Sequence, residues 1–97
     1  MPKAYWIANM DVHDAEKYDI YRAANAAPFK EYGAKFIVRG GKQEIREGAA
    51  RSRSVVLEFA SYADAIACYE SDGYQAAKAL RVDISDGTLV IVEGYDP

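Results

Sequence analysis

The stretch Y-G-A-K-F-I-V-R-G-G, residues 32–41, decides the fold that we predict, because it contains a helix end, a strand and a turn. Gly33 is a typical residue at the end of a helix. The apolar run that follows predicts a strand, and Gly40 and Gly41 then predict a turn. A phosphate-binding loop is disfavoured, since no helix start follows the glycines and no Lys-Ser/Thr closes the motif. We interpret the two glycines as a bend or bulge where the strand leaves the sheet.

Upstream of this stretch, the sequence predicts a strand over residues 4–10 and a helix that ends at Gly33. Helical spacing relates the following residues, most of them apolar: Ala15, Tyr18, Tyr21, Asn25, Phe29 and Tyr32. Asp14 is a suitable N-cap, and Pro28 is expected to kink the helix or to start a second short one.

Downstream, residues 54–59 form a β-branched strand pattern, and a helix capped by Ser61 follows. Ser71 or Asp72 is expected to cap a restarted helix that runs on past Leu80. The S-D-G tripeptide at residues 85–87 predicts a turn before the last strand. The order strand, helix, strand, strand, helix, strand predicts one ferredoxin-like α+β domain over residues 1–97: a four-stranded antiparallel sheet with helices on one face.

Composition narrows the function classes. The chain has 97 residues, a formal net charge of -3 and one cysteine. We predict no nucleic-acid partner, since no basic run occurs, and no membrane partner, since no segment is long and apolar enough to span one. The cysteine count argues against an intramolecular disulfide and against a zinc site, and we predict neither a metal nor a cofactor. A cytoplasmic location is the simplest interpretation.

Sorting each strand by its two-residue alternation predicts one apolar row under the helices and one mixed row on the other face. We place Phe36 and Val38, and also Val90 and Val92, under the helices. The mixed rows then hold Tyr5, Ile7, Asn9, Lys35, Ile37, Arg39, Ser54, Val56, Glu58, Leu89, Ile91 and Glu93. A solvated face would carry fewer apolar residues, so we predict that a second copy covers it in a homodimer.

The polar residues of this mixed face are the predicted site. Arg39, Glu58, Asn9 and Tyr5 would provide the polar contacts of a pocket between two sheets, where a small organic ligand could bind. Arg39 and Glu58 could equally form a structural ion pair in a dimer interface. His13, the single histidine, lies in a loop after the first strand, where it is either solvated or a general base.

The chain also resembles the family called domain of unknown function 1330 over nearly its whole length. The matching segments are YWIANMDVHD, YGAKFIVRGG, RSVVLEF, CYESDGYQAAKALR and VEGY, in this order. The chain departs from the usual pattern at Ala34 and Ala60, and neither change threatens the fold. The family pattern includes the following positions: Tyr21, Tyr32, Arg39, Gly40, Gly41, Arg53, Glu58, Tyr69, Tyr74 and Arg81.

The resemblance implies a dimeric α/β barrel built from ferredoxin-like domains, and it supplies no activity. Related superfamilies include monooxygenases without cofactors, lactone isomerases and haem-degrading enzymes, and such likenesses of fold do not fix a function. Three interpretations therefore stay open: a homodimer with a small-molecule pocket, a cofactor-independent isomerase or monooxygenase-like enzyme, and a purely structural dimer module. In the enzyme, Arg39 would hold an anionic oxygen and Glu58 or His13 would move a proton.

Overall fold

The computed structural model describes residues 2–96 and contains four strands and four helices. In chain order they are β1 (Ala4–Val12), α1 (Ala15–Ala24), α2 (Ala26–Glu31), β2 (Lys35–Arg39), β3 (Arg53–Phe59), α3 (Tyr62–Glu70), α4 (Asp72–Ala79) and β4 (Ser85–Glu93). The strands form one antiparallel sheet in the order β2-β3-β1-β4. This is the ferredoxin-like arrangement that the sequence predicts. None of the helices among residues 2–96 is long and apolar enough to cross a bilayer.

The predicted helix boundaries are confirmed where local capping chemistry sets them. The side chain of Asp14 accepts a hydrogen bond from the backbone N–H of Lys17 at 3.1 Å and begins α1. Ser61 caps α3, and Ser71 caps α4 by accepting from the N–H of Tyr74 at 3.2 Å. Pro28 lies inside the short helix α2 that follows α1, as the sequence predicts.

One continuous core joins the helices to one side of the sheet. Its centre is Trp6, which is 1% exposed and donates a hydrogen bond from its indole N–H to the carbonyl of Ala65 at 3.0 Å. Phe59 and Tyr74 pack on the same ring, with centroid distances of 5.3 and 4.8 Å. The apolar row of β1 and β3 therefore lies under the helices, as predicted, and we call this side of the sheet the helix-covered face and the other the open face.

The predicted faces of β4 are wrong. Leu89 and Ile91 pair with Ala8 and Trp6 and pack against the core, so they lie on the helix-covered face. Val90 and Val92 lie on the open face, where they are 53% and 40% exposed. The run L-V-I-V is apolar in both rows, so alternation alone carries no information on which row is buried.

The boundaries around β4 also differ from the prediction. Helix α4 ends at Ala79, and β4 begins at Ser85 rather than after the S-D-G tripeptide. Gly87 is therefore a strand residue opposite Met10, with φ of +157°. A side chain there would collide with the backbone of Asn9 and Met10, which explains a glycine inside a strand.

Candidate functional site

A cleft lies between helix α1 and the helix-covered face of the sheet, and all four strands contribute to its lining. Its cavity volume is about 40 Å³, within a larger space of about 520 Å³ that includes open solvent. A volume of this size admits a few water molecules or the charged end of a small molecule. The body of any larger ligand would occupy the open part.

Aromatic rings form the floor of the cleft. Phe29 packs edge-on against Trp6 at 5.4 Å and against Phe36 at 5.7 Å. Tyr18 and Tyr21 of α1 line the opposite wall, with their ring centroids 5.2 Å apart. Burial raises the pKa of the Tyr18 phenol, and neighbouring Tyr21 adds to the effect, so Tyr18 stays protonated at neutral pH.

Arg39 lies at the rim of this cleft and not on the open face with Glu58, so its predicted face is wrong. A bulge between Phe36 and Val38 adds one unpaired residue, Ile37, to β2. Because the side-chain period of a strand is two, one extra residue moves every later side chain to the other face. Val38 accordingly pairs with Val56 on the open face, so its predicted place under the helices is wrong. Arg39 pairs with Val55, and its guanidinium lies 4.2 Å from the centroid of the Phe36 ring.

Arg53 approaches the same cleft from β3, opposite Met10. Its guanidinium packs against the backbone of Gly40, where an added Cβ would collide with it, and lies 5.8 Å from the Tyr18 ring centroid. Its Nε is the one buried side-chain nitrogen or oxygen among residues 2–96 that has no hydrogen-bond partner. A buried donor without a partner costs free energy, and a bound anion would supply the acceptor that this atom lacks.

Arg81, in the turn after α4, reaches the inner end of the cleft. Its Nη2 donates a hydrogen bond to the Tyr74 hydroxyl at 3.1 Å, and that hydroxyl lies 2.9 Å from the hydroxyl of Tyr21. The guanidinium carbon of Arg81 also lies 5.4 Å from the centroid of the Tyr21 ring. Burial raises the pKa of Tyr74, and its closeness to Tyr21 adds to this effect, so the Tyr74 phenol stays protonated.

The charged side chains that line the cleft are all arginines. Within residues 2–96, no carboxylate lies within 4.0 Å of a nitrogen of Arg39, Arg53 or Arg81. A fourth arginine, Arg22, lies at the mouth and is paired with Asp19 at 3.4 Å. A second depression of about 260 Å³ shares Tyr18, Arg22 and Arg53 with the cleft.

The other residues of the predicted site lie away from this cleft. Tyr5 and Glu58 are neighbours on the open face, with the phenol oxygen 3.5 Å from the carboxylate. Glu58 pairs with Lys3 at 3.3 Å and not with Arg39. Asn9 accepts a hydrogen bond from the N–H of Arg51 at 2.7 Å and donates to Ser54, so it anchors the loop before β3.

His13 forms an exposed pair with Asp86, its Nε2 lying 2.7 Å from the carboxylate. It does not line the cleft. Among residues 2–96, no three side chains of His, Cys, Asp or Glu come close enough together to hold a metal ion. A pocket between two sheets would need the second copy, so that arrangement stays a prediction.

A model of the family described as domain of unknown function DUF1330 matches residues 3–95. The chain belongs to this family. No curated protein matches this DUF1330 protein.

Solved structures share the fold of the DUF1330 chain at low sequence identity. A protein of unknown function from Rhodopseudomonas palustris, RPA0582, is 16% identical with a TM-score of 0.77, covering 99% of this chain and 85% of its own. SnoaB, a cofactor-independent oxygenase from Streptomyces nogalater, is 13% identical with a TM-score of 0.66, over 100% and 97% of the two chains. A putative antibiotic biosynthesis monooxygenase from Caulobacter crescentus is 19% identical with a TM-score of 0.65, over 95% and 87%. These similarities establish the ferredoxin-like fold.

Sequence reasoning missed the site mainly because the cleft depends on tertiary packing. The DUF1330 pattern contains Tyr21, Arg53, Tyr74 and Arg81, which are far apart in the chain, and no spacing rule links them. One signal was available: from the sequence, Arg53 and Arg81 could bind a carboxylate through two hydrogen bonds, although they could equally pair with Glu47, Glu70 or Asp83.

Proposed function

We propose that this DUF1330 protein binds a small organic anion with an apolar, preferably aromatic, body in the cleft between α1 and the sheet. One observation carries the proposal: Arg39, Arg53 and Arg81 converge on an aromatic-lined cleft without a carboxylate partner among residues 2–96. The chain as a whole is acidic, with a net charge of -3, so the positive charge of the cleft is a local feature.

The chemistry of the lining favours a carboxylate or a comparable oxyanion. Arginine presents a planar fork of donors that can bind a carboxylate through two hydrogen bonds, and such charge-assisted bonds are stronger than neutral ones. The free Nε of Arg53 is a donor that still lacks an acceptor. The rings of Trp6, Phe29 and Phe36 offer an apolar surface to the rest of the molecule.

The test is calorimetric titration of the protein with benzoate at low ionic strength. Binding should weaken by roughly tenfold or more in Arg53→Met, because a hydrogen bond to a charged group contributes about 1.5–3 kcal/mol. Arg46→Met is the matched control, since Arg46 is an exposed loop residue paired with Glu44 and lies outside the cleft. Equal affinity of all three proteins, or absence of benzoate binding to the wild type, would rule out the proposal.

A second candidate function is cofactor-independent oxygenation, which is favoured by the likeness of the fold to SnoaB. Without a cofactor, the substrate itself must supply electrons to dioxygen, so it must react as an electron-rich anion. Donors fixed around the position of the negative charge would stabilise that anion. Oxygen uptake with a panel of phenols and 1,3-dicarbonyl compounds tests this candidate, and anion binding without any uptake would leave the binding function alone.

We also propose that two copies associate through the open face, with each sheet covering the other. Ile7, Ile37, Val38, Val90 and Val92 are each between 40% and 53% exposed there. A stable interface needs roughly 800 Å² per partner, and a self-complementary C2 pair covers such a face with a single contact. Light scattering should give twice the chain mass, and Val90→Lys should halve it; a monomeric wild type would contradict this arrangement.

Two further aspects of the earlier interpretation remain proposals. The paired sheets could also be a purely structural dimer module. A wild-type protein that forms a dimer but does not bind benzoate would favour this alternative. We also place the protein in the cytoplasm, a reducing compartment that suits the free thiol of Cys68. Cell fractionation with an antibody against the chain would test that location.

A further inference from the structure

The buried hydroxyls of Tyr21 and Tyr74 form a chain of hydrogen bonds that begins at Arg81 and ends at the cleft. Tyr21 lines the cleft, whereas Tyr74 does not and is 0% exposed. The direction in which the protons point along this chain decides what Tyr21 can offer to a bound molecule.

Counting donors and acceptors settles the direction. Arginine has only donors, so the oxygen of Tyr74 accepts from Nη2 of Arg81 at 3.1 Å. The single proton of the Tyr74 hydroxyl then needs an acceptor inside the core, because a buried donor is rarely left unsatisfied. Among residues 2–96, the one acceptor within reach is the oxygen of Tyr21, at 2.9 Å.

Once Tyr74 donates to Tyr21, neither Arg81 nor Tyr74 can accept the hydroxyl proton of Tyr21. The opposite direction would leave the Tyr74 proton without an acceptor in a fully buried position, at a cost of roughly 1–3 kcal/mol. The Tyr21 proton can instead reach the cleft that this residue lines, whose volume of about 40 Å³ admits a water molecule or a ligand oxygen.

We propose that Tyr21 is the hydrogen-bond donor to the anionic oxygen of a bound phenolate or enolate, and that Arg81 and Tyr74 fix the direction of its proton. This inference rests on the proposed binding of an anion in the cleft and specifies the class of oxygen that is bound. Hydrogen bonds along such a chain polarise one another, so the positive charge of Arg81 makes the Tyr21 hydroxyl a stronger donor. Tyr21 contacts the ligand, whereas Tyr74 acts through Tyr21 as a positioning residue.

The probe is 4-nitrophenol, because its phenolate and its neutral phenol have different absorption spectra. Binding should enrich the phenolate form, so the apparent pKa of the bound probe should be lower than that of the free probe. Nitrobenzene is the neutral counterpart, which has the same ring and nitro group but no phenolic oxygen.

Tyr21→Phe should weaken 4-nitrophenolate binding by roughly tenfold to a hundredfold, the range expected for a bond to a charged acceptor. It should leave nitrobenzene binding unchanged, whereas a substitution that distorted the cleft would weaken the binding of both probes. Tyr69→Phe is the matched control: it removes a phenol that packs on Tyr74 at 5.5 Å but does not line the cleft, so it should change neither probe.

Tyr74→Phe tests the direction by the sign of its effect. If Tyr74 donates to Tyr21, this variant removes the polarising bond and weakens phenolate binding several-fold. If Tyr21 donated to Tyr74 instead, the variant would release the Tyr21 proton and strengthen binding, which would overturn the inference. It would also be overturned if the wild type and Tyr21→Phe bound 4-nitrophenolate equally well, while benzoate binding stayed sensitive to Arg53. A wild type that binds benzoate but not 4-nitrophenolate would overturn this inference alone, whereas a wild type that does not bind benzoate would refute the proposed function together with it.

Discussion

Replacing Arg53 by methionine is expected to stabilise the free protein while it weakens anion binding. In the free protein, Nε of Arg53 is buried without a hydrogen-bond partner, and no carboxylate within residues 2–96 lies within 4.0 Å of its guanidinium. A buried donor without a partner costs about 1–3 kcal/mol. Methionine keeps an unbranched stem of similar reach that packs against Gly40 without the charge.

The expected gain is smaller than the cost of the unpaired donor, because the substitution also removes the contact between the guanidinium and the Tyr18 ring. That contact is 5.8 Å long and stabilises by roughly 0.5–1 kcal/mol. The net increase in the free energy of unfolding is therefore about 1 kcal/mol. For a domain of this size, that corresponds to a rise in Tm of roughly 4–8 °C.

The assay is urea unfolding monitored by the fluorescence of Trp6, the single tryptophan, with Arg46→Met as the control. Arg46 is paired with Glu44 on the surface, so its replacement should change stability by less than about 0.5 kcal/mol. A loss of more than about 1 kcal/mol in Arg53→Met would refute the reasoning, because it would make Arg53 a structural residue rather than one that awaits a ligand.

Three further predictions concern the cleft, the core and the loop before β3. Gly40→Ala and Gly48→Ala should each destabilise by about 1–3 kcal/mol, because both glycines have positive φ, +69° and +75°. Only Gly40→Ala should also weaken benzoate binding, as measured by calorimetry, because its new Cβ would displace the flexible end of the Arg53 side chain; equal effects of the two variants on binding would contradict the contact. Burial raises the pKa of the Cys68 thiol from 9.0 to about 12, with Glu31 adding to the effect. Between about pH 9 and 12 the folded state thus keeps the thiol proton that the unfolded chain loses, so the free energy of unfolding should fall as the pH rises through this range. Cys68→Ala should reduce this pH dependence, and an unchanged dependence would contradict the role of Cys68. Hydrogen bonds from the backbone and the hydroxyl of Ser52 lower the pKa of the Asp11 carboxyl, so this contribution is present near neutral pH and is lost as the pH falls through the lowered value. Asp11→Asn should therefore speed proteolysis of the loop over residues 40–52 at pH 7, and the cleavage rate of this variant should no longer rise as the pH falls. Equal cleavage rates in the variant and the wild type would argue that the bonds from Asp11 to Ser52 do not hold the loop.

The fold could be predicted from contacts between residues that are close in the sequence and from the order of the elements. Asp14, Ser61 and Ser71 each cap a helix through a bond to the residue three positions further along, and such contacts can be inferred from the sequence. The order of the elements then left few topologies, and the ferredoxin-like sheet is one of them.

The site was harder to predict because two of its determinants are not local. The bulge at Ile37 moves Arg39 to the other face, and nothing in the residues around it distinguishes a bulged strand from a regular one. The direction of Arg53 follows only once β3 pairs with β1 opposite Met10. The hydrogen bond between Tyr21 and Tyr74 joins residues 53 positions apart, so it depends on how α1 and α4 pack together.

The central claim is that the anion binds on the helix-covered side of the sheet, and a titration of ¹⁵N-labelled protein with benzoate tests it most directly. Backbone amide shifts should change with benzoate concentration at Tyr18, Tyr21, Arg39 and Arg53. The amides of Ile45 and Arg46, in the exposed loop outside the cleft, should stay unchanged. Shifts confined to open-face residues such as Tyr5, Glu58 and Val90, with none at Tyr21 or Arg53, would contradict the claim and place the ligand between the sheets.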